Sequence, residues 1–276
     1  MFSVITDTAA RLWLLALLIL WAGLLFGGFV PGKPDARRER RMPVWTRMAS
    51  SLILMVAGWS WFWLGRESGA AEFALLIAIG MTLGLLGDLA MAGLLPIPQP
   101  VLGGIAAFGL GHVAYIAAAW RFGNAYGLDA LEPRLAAWAA WLLVGLAGWY
   151  LAVFRGAALS AKPGFSEKPG LAEREKPGLS PGLSPGLSPL HWAALPYALL
   201  LAGTAGLATG LALQNAAFLP FALGAGLFLL SDLILAAQLF NGLRFKLIHD
   251  VIWLTYGPGQ MLIVYAIGSG LRISAA

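Results

Sequence analysis

The sequence predicts an all-α polytopic membrane protein with about eight transmembrane helices. Of its 276 residues, 59% are hydrophobic and only 11% are charged, whereas soluble domains carry roughly a quarter charged residues. A compact soluble protein cannot bury so much apolar surface behind so few charges. Apolar runs of about 20 residues, the length that crosses the hydrocarbon core, recur along the chain and lack the period-two alternation of barrel strands.

Eight apolar runs meet this length criterion, and the first is interpreted as a retained helix. Its run of about 19 residues is longer than the apolar part of a secretory signal, and a basic segment follows it instead of a small-residue cleavage site. Two glycine pairs, Gly80 with Gly84 and Gly206 with Gly210, mark predicted faces of close helix packing. The predicted spans are Leu12–Val30, Val44–Leu64, Ala70–Leu94, Val101–Trp120, Leu135–Phe154, Trp192–Leu213, Phe218–Phe240 and Leu247–Gly268.

The basic residues predict how the helices are oriented. The loops after helices 1, 3, 5 and 7 share one face of the membrane and carry 13 of the 18 lysines and arginines. Because cytoplasmic loops are enriched in these residues, we expect a bacterial inner-membrane protein with both termini extracytoplasmic. The same distribution argues against a nucleic-acid partner, since this charge sets topology and attracts anionic lipid head groups.

A proline- and glycine-rich segment at about 156–190 interrupts the apolar runs. It repeats Glu-Lys-Pro-Gly at 167–170 and 175–178 and then Pro-Gly-Leu-Ser three times up to Ser188. Repeated Pro-Gly cannot sustain a helix and buries little apolar surface. We therefore expect a disordered cytoplasmic loop, an insertion rather than a partner-binding site, within a single membrane domain spanning 1–276.

Two aspartates stand apart from the other acidic residues, which fall in loops or near helix ends. Asp88 lies within helix 3 and Asp232 within helix 7. A mid-membrane aspartate costs roughly 2.5–3.5 kcal/mol and usually faces a polar cavity, although a hydrogen bond to a neighbouring helix would explain either residue alone. Both helices run inward, and the two residues are predicted to lie about 9 and 12 Å from the inner helix ends. The pair should therefore share a depth in the cytoplasmic half.

Polar residues on the outward-running helices are candidate companions of this pair. Helix 4 carries His112, a candidate catalytic residue, and Tyr115. Helix 8 carries Tyr256 and Gln260 on one face, and these two and Tyr115 are candidates for contact with substrate. A structural, hydrogen-bonded histidine is the alternative for His112. Arg47, Arg244 and Lys246 are candidates for contact with a phosphate group, and charges that only set topology are the alternative.

Two buried carboxyl groups favour acid–base chemistry in which one protonates and the other activates water. The chain has no cysteine, which excludes thiolate catalysis, iron–sulfur clusters and cysteine-type zinc sites. Two alternatives stay open. The aspartates could relay protons or bind a cation in a transporter or lipid-binding protein, or join His112 in a metal-dependent amidase or esterase, although His-Glu-x-x-His spacing is absent.

Four motifs in order resemble the YhhN family of eight-helix membrane proteins, which includes lysoplasmalogenases. They are GLLGDLAMAGLLP, GGIAAFGLGHVAYIAAAW, GAGLFLLSDLILAAQLF and TYGPGQMLIVYAIG, within roughly 76–120 and 217–268. The resemblance implies hydrolysis of the vinyl ether bond of a lysoplasmalogen to a fatty aldehyde and a glycerophospho-ethanolamine or -choline. It maps the family's aspartates onto Asp88 and Asp232, its histidine onto His112, and its helix 8 polar positions onto Tyr256 and Gln260.

The implied reaction needs no cofactor or metal. Vinyl ethers hydrolyse by protonation on carbon, and two carboxyl groups would divide the work much as they do in glycosidases. A lysolipid would enter sideways from the membrane, with its phosphate towards the basic loops. The sequence departs from the family where Arg47-Met48 replaces a frequent Lys-Pro, in the run at 257–259, and in the proline-rich insertion.

Overall fold

The computed structural model describes residues 5–155 and 189–276, so nearly all of the predicted disordered loop lies outside the described residues. Within these ranges the regular structure is helical, and eight helices are long and apolar enough to cross a membrane. The predicted all-α architecture is confirmed, and the chain is an integral membrane protein. The helices are α1 (Thr8–Phe29), α2 (Val44–Gly65), α3 (Ala71–Met91), α4 (Pro100–Ala125), α5 (Leu131–Trp149), α6 (Pro189–Gln214), α7 (Leu219–Asn241), α8 (Ile248–Tyr265) and the short α9 (Ile267–Ser274).

Helix ends depart from the apolar runs where polar groups find partners. Helix α4 continues past Trp120 to Ala125, and Arg121 in this extension pairs with Glu72 of α3 at 2.7 Å. The buried Arg134 of α5 donates to the Asn124 side chain at 2.8 Å. Near the other end, α3 stops at Met91, three residues early, and Gly93 takes a left-handed conformation (φ 70°) that ends the helix.

Six helices form a closed ring in which α2, α3, α4, α6, α7 and α8 pack in that order and α8 returns to α2. Helix α1 packs outside against α2, and α5 packs outside against α6. Glycines allow the closest approaches. A Cβ on Gly111 would lie 3.0 Å from the carbonyl oxygen of Gly80, and a Cβ on Gly206 would lie 2.6 Å from the Cα of Trp138. Both predicted glycine faces are therefore confirmed as close contacts between helices.

The two ends of the ring are filled differently. At the end where α3 begins, Phe73 packs against Phe122, Phe218 and Phe221, with ring centroids 5.0, 5.9 and 5.9 Å away. These buried rings fill the interior there. The opposite end, which carries the α1–α2 and α7–α8 loops and is called the basic end below, holds a cavity.

The α1–α2 loop is tied to the start of α8 at the basic end. Asp250 is 1% exposed, and its carboxylate accepts hydrogen bonds from the backbone N–H groups of Arg41 at 2.6 Å and Met42 at 2.9 Å. The N–H of His249 donates to the carbonyl of Glu39 at 3.0 Å. These bonds hold the basic loop over the cavity, and they give Asp250 a structural task.

Candidate active site

A cavity of about 560 Å³ lies among α2, α3, α4, α7 and α8 at the basic end, and both Asp88 and Asp232 line it. We call it the polar cavity. Glu39, Gln238 and His249 line it together with four arginines, which are Arg37, Arg40, Arg47 and Arg244. The two membrane aspartates, which were predicted only to lie at similar depth, therefore line one space beneath a cationic rim.

Asp88 lies in the last turn of α3 and is 4% exposed. The hydroxyl of Ser51 on α2 donates to its Oδ2 at 2.5 Å, and the hydroxyl of Tyr256 on α8 faces the same carboxyl group. Asp88 is also close enough to Asp232 for their charges to interact. Donors from two neighbouring helices thus hold this side chain in place.

Arg47 is a buried cation beside Asp88. Its side chain is 9% exposed, and its guanidinium carbon lies 5.3 Å from the ring centroid of Trp253. Its charge acts favourably on both Asp250 and Asp88. Among the described residues its Nε has no hydrogen-bond partner, so this donor is available to a ligand in the cavity.

Asp232 lies on α7, where the hydroxyl of Tyr197 on α6 donates to its Oδ2. The adjacent Ser231 hydroxyl is 3.4 Å from Oδ1, which is long for a hydrogen bond between oxygens. Asp232 is more exposed than Asp88, and it borders a second space besides the polar cavity.

This second space, the apolar groove, runs between α4 and α7 over residues of α5 and α6 and encloses about 70 Å³. Its walls are almost entirely hydrocarbon. They include Ile105, Ala194, Ala198, Leu201, Leu229 and Leu233. Met91, Val101, Phe108, Asp232, Leu235 and Leu239 line both spaces. Asp232 therefore stands where a polar compartment and an apolar compartment meet.

His112 lies behind these walls and lines neither space. It is 1% exposed, and its Nδ1 is 2.9 Å from the hydroxyl of Thr204 on α6. Its ring packs edge-on against Phe228, Tyr115 and Tyr197, with centroids 4.6, 5.6 and 6.3 Å away. His112 packs against the ring of Tyr197, and Tyr197 contacts Asp232, so His112 acts on Asp232 through Tyr197.

Tyr115 is buried in the same layer, because its ring fills the space left by the absent side chain of Gly80. The structure does not place Tyr115 in the polar cavity or the groove, although it was predicted to contact substrate. The residue packs two ring helices together.

The two helix 8 candidates are coupled, and one of them faces the polar cavity. Tyr256 lines the cavity, whereas Gln260 lies behind it and donates to the Tyr256 hydroxyl at 2.5 Å. A Cβ on Gly84 would lie 2.8 Å from the Gln260 Nε2. The glycine of α3 thus provides the room in which Gln260 orients Tyr256.

The predicted phosphate contacts differ in burial. Arg244 borders the polar cavity with a side chain that is 67% exposed, and its Nη1 lies 3.9 Å from Glu39. Arg47 is the buried one of the two. Lys246 is not part of the cavity lining.

Several site residues were missed in the sequence. Ser51 could have been noticed, since two adjacent serines interrupt the apolar run of helix 2 at the depth of Asp88. Tyr197 gave no comparable signal. His249, to which no chemistry was assigned, lines the cavity, and its Nε2 lies 3.2 Å from the Gln238 side chain.

The part of the chain that the structure describes holds no cluster of metal-ligating side chains that would support the metal-dependent amidase or esterase. Across residues 5–155 and 189–276, no group of three histidine, aspartate or glutamate side chains comes together as metal ligands would. His112 directs its Nδ1 to Thr204 instead.

Comparison with protein-family models gives a match to the YhhN family over residues 42–267, which is most of the chain. The matched range includes the cavity residues on α2, α3, α4, α7 and α8. No curated protein and no solved structure matches the chain.

Proposed function

The chain belongs to the YhhN family, and on that premise we propose that it is an intramembrane hydrolase of the vinyl ether bond of lysoplasmalogens. The products are a fatty aldehyde and a glycerophospho-ethanolamine or -choline. One observation carries the proposal: two membrane-embedded aspartates line one cavity, and one of them also borders an apolar groove.

The two compartments match the two halves of a single-chain phospholipid. The phosphate binds in the polar cavity, where the buried Arg47 and the more exposed Arg244 supply positive charge. The hydrocarbon chain occupies the apolar groove and enters sideways from the membrane between α4 and α7. The vinyl ether, which joins the glycerol to the chain, then lies at the boundary beside Asp232.

The reaction uses the aspartates as an acid and a base. A carboxyl group donates a proton to an alkenyl carbon and creates an oxocarbenium ion, which the second carboxyl group stabilises while it activates water. Ser51, Tyr197 and Tyr256 orient the pair by hydroxyl contacts. The residues need no metal or cofactor for these steps.

The remaining predicted site residues act mainly through others. His112 positions Tyr197 through ring packing, and Gln260 positions Tyr256 through its hydrogen bond. Tyr115 supports His112 from the neighbouring turn. Of the predicted substrate contacts, Tyr256, Arg47 and Arg244 touch substrate in this proposal.

Membrane orientation follows from the basic end. We propose that it faces the cytoplasm of a bacterial inner membrane, because its loops carry most of the positive charge. Both termini are then extracytoplasmic. Anionic lipids at the cytoplasmic surface would bind the exposed arginines of the same loops.

The decisive experiment measures aldehyde release from a defined lysoplasmalogen by purified protein in detergent or liposomes. Asp88→Asn and Asp232→Asn should each abolish release while the protein remains folded. Asp129→Asn, at an exposed loop position, is the matched control and should retain wild-type activity. Full activity in both site variants would refute the mechanism. Proton-coupled uptake into liposomes without any aldehyde would instead favour a transporter.

A further inference from the structure

Building on the proposed hydrolase activity, we propose that the two aspartates have fixed and different tasks. Asp232 is the acid that protonates the alkenyl carbon. Asp88 is the carboxylate that faces the oxocarbenium ion and takes a proton from the attacking water. The assignment rests on the neighbouring charge, on the Oδ1 oxygen of Asp232 and on position along the bound lipid.

The neighbouring charge favours an ionised Asp88. Arg47 lies one helical turn before Ser51 on α2, the residue whose hydroxyl bonds to Asp88, and both Arg47 and Asp88 line the polar cavity. The hydrogen-bonding neighbours of Asp232 are the neutral hydroxyls of Tyr197 and Ser231, and it also borders the hydrocarbon of the groove. Two carboxyl groups that line one site tend to share one proton, because their two negative charges would repel each other. We assign the negative charge to the carboxyl beside the cation and the proton to the carboxyl beside the hydrocarbon.

The hydrogen bonds of Asp232 leave one of its oxygens available for proton transfer. Each aspartate accepts a hydroxyl bond at Oδ2, from Ser51 at Asp88 and from Tyr197 at Asp232. At Asp232, Oδ1 has only the Ser231 hydroxyl at 3.4 Å, and that hydroxyl donates to the carbonyl of Phe228 at 2.7 Å. Oδ1 of Asp232 is therefore the oxygen that can carry and deliver a proton.

Position along the lipid separates the two tasks as well. In a vinyl ether, the proton adds to the carbon farther from oxygen, which is the carbon on the hydrocarbon side. Asp232 borders the apolar groove and is placed for this transfer. Water attacks the carbon bonded to oxygen, and it arrives through the polar cavity, which Asp88 lines.

The assignment closes a catalytic cycle. Asp232 transfers its proton to the distal carbon, and the alkene electron pair forms the new C–H bond. Asp88 accepts a proton from water as the water oxygen bonds to the oxocarbenium carbon, which gives a hemiacetal. When the hemiacetal breaks down, Asp88 returns that proton to the glycerol oxygen as the C–O bond cleaves. Asp232 takes the remaining hydroxyl proton as the aldehyde forms, so the pair regains its starting state.

Binding of a cationic mimic tests the assignment without turnover. The probe is a saturated lysophosphoethanolamine whose chain is attached through a protonated secondary amine, and the reference is the same lipid with an ether oxygen. Wild-type protein should prefer the amine by about 10- to 100-fold, the range for a bond between charged groups. Asparagine mimics a neutral carboxyl, so Asp232→Asn should keep this preference and Asp88→Asn should lose it. Loss of the preference in Asp232→Asn, or its retention in Asp88→Asn, overturns the assignment.

Infrared spectroscopy decides the case if Asp88→Asn no longer binds either lipid. The C=O stretch of a protonated carboxyl group near neutral pH should be present in the wild type and in Asp88→Asn, and it should vanish in Asp232→Asn. Loss of the band in Asp88→Asn, or its persistence in Asp232→Asn, refutes the proposal. Since neither measurement requires aldehyde release, a chain that fails as a hydrolase would still give a clear answer on the charge of each aspartate.

Discussion

The hydroxyl of Tyr197 on α6 donates a hydrogen bond to the carboxyl of Asp232 on α7, and the edge of His112 packs against the tyrosine ring from behind. The bond crosses between neighbouring helices of the ring and fixes one rotamer of Asp232 at the boundary between the polar cavity and the apolar groove. A residue absent from the predicted site is thus the closest polar neighbour of a predicted catalytic residue.

Tyr197→Phe should lower kcat for lysoplasmalogen hydrolysis by about 10- to 100-fold, because a bond to a catalytic carboxyl is lost while ring packing is kept. KM should change little. The control is Tyr150→Phe, since Tyr150 is half exposed on the outer face of the bundle. Steady-state aldehyde release at several lipid concentrations separates the two constants. An unchanged kcat would mean that Tyr197 does not orient Asp232.

Arg47 should matter more than Arg244 because it is buried beside Asp88. We expect Arg47→Gln to lower kcat/KM by about 10- to 100-fold, since a desolvated charge contact with the substrate phosphate and with Asp88 is lost. Arg244→Gln should cost no more than about fivefold, as exposed ion pairs contribute little. Arg66→Gln, at the opposite end, is the control. Equal losses for Arg47 and Arg244 would contradict the proposed phosphate position.

The sequence singles out the two aspartates inside apolar helices, whereas the exact helix ends and the orientation of the neighbouring side chains could not be predicted. Counting from the predicted ends of helices 3 and 7 gave distances of about 9 and 12 Å. In the structure, Asp88 lies three residues before the end of α3 and Asp232 nine residues before the end of α7. The rotation of a helix about its axis cannot be predicted in this way, because lipid-facing and core-facing positions are equally apolar in a membrane. His112 and Tyr115 were therefore expected at the site, and they lie one layer behind it.

Helix ends were predicted less well for a related reason. Hydropathy treats a charged residue as the end of a span, yet α4 continues past Arg121, which pairs with Glu72, to Ala125. The partners of the two site aspartates come from other helices, 37 residues away for Ser51 and Asp88 and 35 residues away for Tyr197 and Asp232. Ser51 and Tyr197 belong to the site for the same reason: tertiary packing brings them to the aspartates.

The buried Asp250 should support stability by holding the α1–α2 loop. Asp250→Asn replaces one acceptor oxygen with an amide group, which leaves one of two backbone N–H groups without a good partner. We expect a loss of about 1–3 kcal/mol in stability, measured as a lower midpoint of thermal unfolding in detergent. Asp7→Asn is the control, because Asp7 caps α1 at an exposed position and asparagine caps helices equally well. Matching midpoints for Asp250→Asn and wild type would refute the anchoring task.

The apolar groove should set the preference for chain length. Ala198 lines the groove on α6, one residue beyond Tyr197, so Ala198→Phe should fill space needed by the hydrocarbon chain. We expect kcat/KM for a long-chain lysoplasmalogen to fall by about tenfold or more, which is typical when steric fit changes in a hydrophobic pocket. A short-chain substrate should be much less affected. Ala140→Phe, at an exposed position on α5, adds the same bulk outside the groove and should leave both substrates unchanged. Equal losses for long and short chains in Ala198→Phe would place the hydrocarbon chain elsewhere, because only an occupied groove makes the effect depend on chain length.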